Sequence, residues 1–275
     1  MKAAALLAGL LMAVAAAAQT PPSPAELLAA SPAGDWREVP AEQLLRLQLP
    51  AGPVWIELAP EFAPYHAANL LKLVQAGWFD GLSINRVQDN YVVQWGDPAA
   101  GSATARPYPE GVLKLISAEL RRSARGLAFT ALPDPDSYAA EVGHSAQGLP
   151  MARESDTGMA WLAHCYGMVG AGRDEGPDSG NAAELYVVIG HAPRHLDRNV
   201  TLLGRVLEGM ERLSSLPRGS GALGFYEQPL QRVPVVTLSR ALDLKPEQRV
   251  RFQVLRPGSP TWSAWTEARR HRRES

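Results

Sequence analysis

Six histidines and one cysteine are the side chains that most often carry nucleophilic or metal chemistry, and their spacing argues against both here. His191 and His195 stand four apart, a spacing that puts two ligands on one helix face, but Pro193 lies between them and breaks that helix. No H-E-x-x-H pair is present. His164 precedes Cys165 directly, and sequence neighbours seldom face each other, so Cys165 reads as a buried structural thiol. A G-x-S-x-G elbow is absent. Gly167, Gly170 and Gly172 lack the G-x-G-x-x-G spacing of a dinucleotide loop. There remain a permanent cation, Arg86, an amide, Gln94, and two rings, Tyr91 and Tyr186. Read singly they are ordinary: Arg86 a strand-surface charge paired with Asp80 or Asp89, the tyrosines core aromatics, and Gln94 a polar residue without a role.

The elements that would position these groups are short. Leu45–Leu49 and Val54–Leu58 alternate apolar and polar residues around Pro50-Ala51-Gly52-Pro53, which reads as a β-hairpin. Pro64 opens a helix in which Ala67, Leu70, Leu71 and Val74 share one face, and Gly77 supplies its stop. Strands are expected at 82–87, 91–95, 166–169, 185–189, 200–206 and 233–238, with a short helix at 208–216. Many short strands with few helices point to a mainly β fold, a closed antiparallel barrel with short capping helices.

The chain has 275 residues, of which 46% are hydrophobic and 20% charged, with 27 basic against 28 acidic groups. That balance excludes a strongly basic nucleic-acid binder and an acidic disordered tail. A single cysteine excludes an intrachain disulfide framework. Lys2, the apolar run Ala3–Ala18 and Ala16-Ala17-Ala18 form the three regions of a signal peptide, residues 1–18. The run is shorter than the roughly 20 residues of a spanning helix. The expectation is export to a bacterial periplasm, with no membrane span once the signal is cleaved. Residues 19–44 read as a linker and a short helix with a Ser23/Glu26 capping box, and 45–240 as the main domain. Residues 98–157 read as an irregular insertion with a short strand near Val112–Ile116. Residues 241–275 are a C-terminal extension with one further strand, Val250–Leu255, with Trp262 and Trp265 packing the tail onto the barrel, and with a basic end, Arg269–Arg273.

One stretch says more. Val54-Trp-Ile-Glu-Leu-Ala-Pro leads to Pro64 and Asn69-Leu70, then to Gly77-Trp-Phe-Asp-Gly81-Leu-Ser-Ile-Asn-Arg86-Val87 and Tyr91-Val-Val-Gln94-Trp-Gly96-Asp97-Pro98. In that order these segments resemble the cyclophilin family of peptidyl-prolyl isomerases: V-x-I-E-L, the A-P-x-x-x-x-N-F helix, Y-D-G-x-x-F-H-R-V and F-x-x-Q-G-G-D-P. Gly167–Arg173, Ala183–Val187 and Leu196–Val206 resemble its second half more loosely.

The resemblance implies a cyclophilin-like barrel that needs no cofactor and no metal and acts on proline-containing polypeptides. It makes Arg86 the catalytic residue, and Tyr91, Val92, Gln94, Tyr186 and Leu196 the substrate pocket. Glu184 stands where the family has Gln, His195 where a rim Trp is frequent, Val200 where a His is frequent, Asn85 where a His precedes the arginine, and Trp95 in place of a Gly. Two functions follow. One is an exported isomerase of X–Pro bonds. The other is a non-catalytic module that holds proline segments across a rim altered at Glu184, His195 and Trp95.

Overall fold

The computed structural model describes residues 21–271; the expected signal segment, 1–18, and Arg272–Arg273 lie outside the described residues. Four α-helices are described: α1 Pro24–Ala29, α2 Pro64–Gln75, α3 Met210–Ser214 and α4 Pro260–Arg270. The strands are β1 Trp36–Glu38, β2 Leu44–Leu49, β3 Gly52–Leu58, β4 Ser83–Val87, β5 Val92–Gly96, β6 Arg122–Ser123, β7 Phe129–Ala131, β8 Glu141–Ser145, β9 Pro150–Glu154, β10 Met159–Leu162, β11 Met168–Ala171, β12 Leu185–Val188, β13 Leu202–Glu208, β14 Val233–Pro234, β15 Thr237–Arg240 and β16 Gln253–Leu255. Among them no helix is long and apolar enough to cross a membrane.

The fold is mainly β. Nine strands form one antiparallel sheet in the order β14-β4-β5-β12-β11-β13-β3-β2-β15. Its two edges are successive parts of one segment. β14 pairs with β4, Val235 exchanges hydrogen bonds with Gly81 and Leu82, and from Val236 onward the chain pairs with β2. The barrel thus closes by a strand that changes partner, not by an unbroken ladder. Inside it pack Leu45, Leu47, Val54, Ile56, Phe79, Ile84, Val93, Trp95, Val187 and Leu203. Helix α2 contributes Leu70, Leu73 and Val74 to the same core. It ends where Gly77, at φ 63°, lets its own N–H reach the Val74 carbonyl and that of Trp78 reach Leu73, both at 3.0 Å.

The insertion differs from its expected form. Val112–Ile116 is not a strand. Leu113 instead receives a side chain as its partner, donating to Asn69 Oδ1 at 2.8 Å and accepting from Asn69 Nδ2 at 3.1 Å. Further on, β6–β10 make a separate five-stranded sheet that runs to Leu162. Its strands have two to five residues, too short to leave a clear alternation in the sequence. Leu149, Met151, Ala160 and Leu162 of this region pack against Val92, Tyr186 and Val188 on the outer wall of the barrel.

The two flanking segments fold together. β1 pairs with β16, and Asp35 Oδ2 accepts the Thr261 N–H at 3.0 Å, capping the first turn of α4. The tail's tryptophans reach the insertion. Trp262 lies edge-on to His144 of the insertion at 4.8 Å, and Arg270 pairs with Asp134 at 2.7 Å.

Candidate active site

Strand β4 carries Arg86, and a bulge aims it. Ile84 pairs with Trp95 and Arg86 with Gln94, so Asn85 is the extra residue on its strand. Strict alternation from the fully buried Ile84 would turn Arg86 inward and Val87 outward. The bulge reverses both, leaving Val87 in the core and Arg86 on the outer wall. Asn85 is fixed there by a bond from its Nδ2 to the Gly96 carbonyl at 3.1 Å and by Ser83 Oγ donating to its Oδ1 at 2.7 Å.

On β5, Val92 and Gln94 face outward while Val93 and Trp95 face the core. Trp95 is fully buried and therefore takes no part in the rim, which corrects the expectation from the sequence. On β12, Tyr186 lies across the neighbouring β11 opposite Gly170. A Cβ at Gly170 would sit 2.2 Å from the Tyr186 ring, so only glycine admits the ring in this position. A 3-10 turn, Arg194–Leu196, supplies the side wall.

These elements bring Arg86, Tyr91, Val92, Gln94, Tyr186 and Leu196 to one open pocket of about 200 Å³. Of the eight residues expected at the site, Glu184 and His195 do not line it. Glu184 lies behind Gln94 and accepts its Nε2–H at 2.7 Å. His195 is exposed and stacks on the Tyr91 ring with centroids 6.2 Å apart and planes 9° apart. Gly172, Arg173, Asn199 and Val200 complete the wall.

Arg86 is held on three sides. Its Nη1 donates to Gln94 Oε1 at 2.9 Å, its Nε to the Leu223 carbonyl at 2.7 Å, and its Nη2 to Gln88 Oε1. Its guanidinium also sits 5.7 Å from the Tyr91 ring centre and 5.5 Å from that of Phe225. Neither Asp80 nor Asp89 pairs with it: Asp89 holds Arg218 at 2.9 Å, and Asp80 accepts the Leu238 N–H. Burial lowers the Arg86 pKa, with Tyr91 and Glu184 opposing that shift. Burial raises the pKa of the Glu184 carboxyl, against the bond from Gln94.

Sequence reasoning missed the loop that covers Arg86. Leu223 presents a backbone carbonyl, which no residue pattern announces, and it does so at φ 55°. It missed His164 as well, whose proximity to Cys165 was the wrong clue. Burial raises the Cys165 pKa, disfavouring a reactive thiolate. His164 faces the pocket floor, its Nε2 2.8 Å from Tyr186 Oη.

The antiparallel barrel thus carries on its outer wall one pocket lined by Arg86, Gln94 and the rings of Tyr91 and Tyr186. Residues 44–240 match the family described as Cyclophilin type peptidyl-prolyl cis-trans isomerase/CLD, and the chain belongs to that family. A probable peptidyl-prolyl cis-trans isomerase of Brucella suis is 26% identical over 181 residues, covering 66% of this chain and 74% of the relative. A peptidyl-prolyl cis-trans isomerase-like 2 protein of Gibberella zeae is 25% identical over 66% of this chain and 24% of its own length. The crystal structure of the cyclophilin AquaCyp293 from Hirschia baltica aligns with a TM-score of 0.67 and 29% identity, covering 83% of this chain and 85% of the other.

Proposed function

We propose that this chain is exported and accelerates rotation about X–Pro bonds in polypeptides folding in a bacterial periplasm, with Arg86 as its catalytic residue. Rotation is slow because the nitrogen lone pair is delocalised into the carbonyl, with a barrier of about 18–20 kcal/mol. A catalyst needs to stabilise the perpendicular amide, in which that lone pair is localised. The pyrrolidine ring sits on Tyr186 between Val92, Tyr91 and Leu196, and one of the unused Arg86 N–H groups meets the prolyl nitrogen or the turning carbonyl. The guanidinium stays charged and presents a rigid fork of donors, so it is already oriented when charge shifts in the transition state.

The observation that carries this reading is the neutral cradle of Arg86. Its three partners are two amide oxygens and one peptide carbonyl, which fix its position without cancelling its charge. A protease-coupled assay on an X–Pro tetrapeptide tests it. Arg86→Ala is expected to lose about a hundredfold or more in kcat/KM while retaining peptide binding. A wild-type protein that binds the peptide yet gives no acceleration would leave the binding-module reading in its place. Export rests on Lys2 and the Ala3–Ala18 run. Mature protein recovered from a periplasmic fraction should begin at Gln19, and one beginning at Met1 would contradict cleavage.

A further inference from the structure

We propose that His164 is a positioning residue for the proline pocket: with Asp197 it locks the hydroxyl of Tyr186, and so the tilt of the ring that forms the pocket floor. The proposal rests on the isomerase reading of the same pocket.

The arrangement is a chain of polar groups running from the half-buried Asp136 of the insertion, through Arg194, to the buried floor. Asp136 Oδ2 accepts Arg194 Nη1 at 2.7 Å. Arg194 Nε donates to Asp197 Oδ2 at 2.6 Å. Asp197 Oδ1 accepts the backbone N–H of His164 at 2.8 Å and lies 3.0 Å from its Nδ1. Beyond the ring, His164 Nε2 lies 2.8 Å from Tyr186 Oη. The His164 side chain is 1% exposed and that of Asp197 3%.

Chemistry fixes the direction of each bond. Burial opposes ionisation of Asp197, but the bonds from His164 and Arg194 bring its carboxyl below the ordinary value, so it accepts only. Its partner Nδ1 must then carry the imidazole proton. Burial lowers the His164 pKa despite Asp197, so the ring is neutral and its Nε2 has only a lone pair to offer. Tyr186 is therefore the donor. Burial likewise raises the phenol pKa of Tyr186 and keeps that proton in place.

The consequence is geometric. A phenylalanine floor can be seated by packing alone, but a buried tyrosine must also satisfy its hydroxyl or turn toward water. His164 lies in the connection between β10 and β11, where the insertion returns to the barrel. Asp197 follows the 3-10 turn that carries Leu196. One carboxylate thus ties the floor, the side wall and the insertion loop together.

A paired variant tests this. His164→Leu leaves the Tyr186 hydroxyl without a partner, while Asp197 keeps the residue 164 backbone N–H and Arg194. KM for an X–Pro tetrapeptide is expected to rise about tenfold with kcat within about twofold. Adding Tyr186→Phe removes the stranded hydroxyl and should bring KM back to within about threefold of wild type. An unchanged KM in His164→Leu, or no rescue by Tyr186→Phe, would overturn the proposal; a merely structural role for His164 predicts no rescue. Should the wild type bind the tetrapeptide without isomerising it, the isomerase reading fails and the same rescue is read as Kd. Should His164→Leu not fold, nitrogen NMR of the wild-type imidazole decides: a protonated Nδ1 supports the proposal, and a protonated Nε2 overturns it.

Discussion

Two arginine sites on the same barrel are built in opposite ways. On β13, Arg205 reaches Glu57 Oε2 through Nε at 3.1 Å and Nη2 at 2.9 Å, and Arg37 of β1 reaches Glu57 Oε1 at 2.5 Å. Glu57 is fully buried, and the carbonyls of Gln147 and Gly148 complete the cluster. That cluster joins barrel, insertion and N-terminal segment, and in it one carboxylate is shared by two guanidiniums, each held by a direct ion pair. On β4, Arg86 has the same side chain and a comparable number of bonds, yet among the described residues it enters no ion pair. Glu184 reaches it by hydrogen bonds only through Gln94, and otherwise acts on it through space. A charge that holds parts together is ion-paired, whereas the charge placed to act on a substrate is held by dipoles alone.

Glu57→Gln should have the largest effect on the first site. It leaves two buried guanidiniums side by side with no counter-charge, a change that costs about 3–5 kcal/mol. Urea unfolding should record the loss, while kcat/KM of the protein that remains folded stays at the wild-type value. Arg86→Ala should divide the same two quantities the other way, with activity lost and the unfolding midpoint nearly unmoved. A Glu57→Gln protein of wild-type stability would mean that the Gln147 and Gly148 carbonyls suffice, and the contrast between the two sites would dissolve.

The two sites were not equally legible in the sequence. Arg86, Tyr91 and Gln94 sit in local motifs, and helix α2 follows from the spacing of Ala67, Leu70 and Val74. Even there, simple alternation misplaces Arg86, because the Asn85 bulge shifts the strand by one residue. Trp95 could have been assigned to the core from its alternation with Gln94, but its place in a motif drew it to the rim. The Arg37–Glu57–Arg205 cluster left no local trace, since its members lie far apart in the chain: the β13–β3 register sets Arg205 opposite Glu57, and Arg37 comes from β1. Nor did the Leu223 carbonyl or the insertion sheet, whose partners are chosen by tertiary contacts and not by residue type.

Glu184 provides the finest test of how Arg86 is held, because it is a charge that the pocket touches at one remove. In its ionised form it accepts the Gln94 Nε2–H, which leaves Gln94 Oε1 pointing at Arg86. Protonated, it can donate to Gln94, and the amide then turns its NH2 toward the guanidinium, where two donors oppose each other. Burial raises the Glu184 pKa above the model-peptide value of 4.5, so the group takes up its proton at a higher pH in the folded chain than in the unfolded one. The sign follows: the buried charge disfavours folding above the folded pKa, and that penalty is relieved as pH falls toward the unfolded pKa. Activity should move the other way. As pH falls through the folded pKa, kcat/KM is expected to drop about threefold as the Gln94–Arg86 bond is lost, along a single-proton limb displaced upward from the ordinary Glu value. Glu184→Gln cannot ionise and should flatten that limb in a pH–rate profile while wild-type activity near neutral pH is largely kept. A limb that persists in Glu184→Gln would assign it to another group, and the cradle of Arg86 would then be independent of the charge behind it.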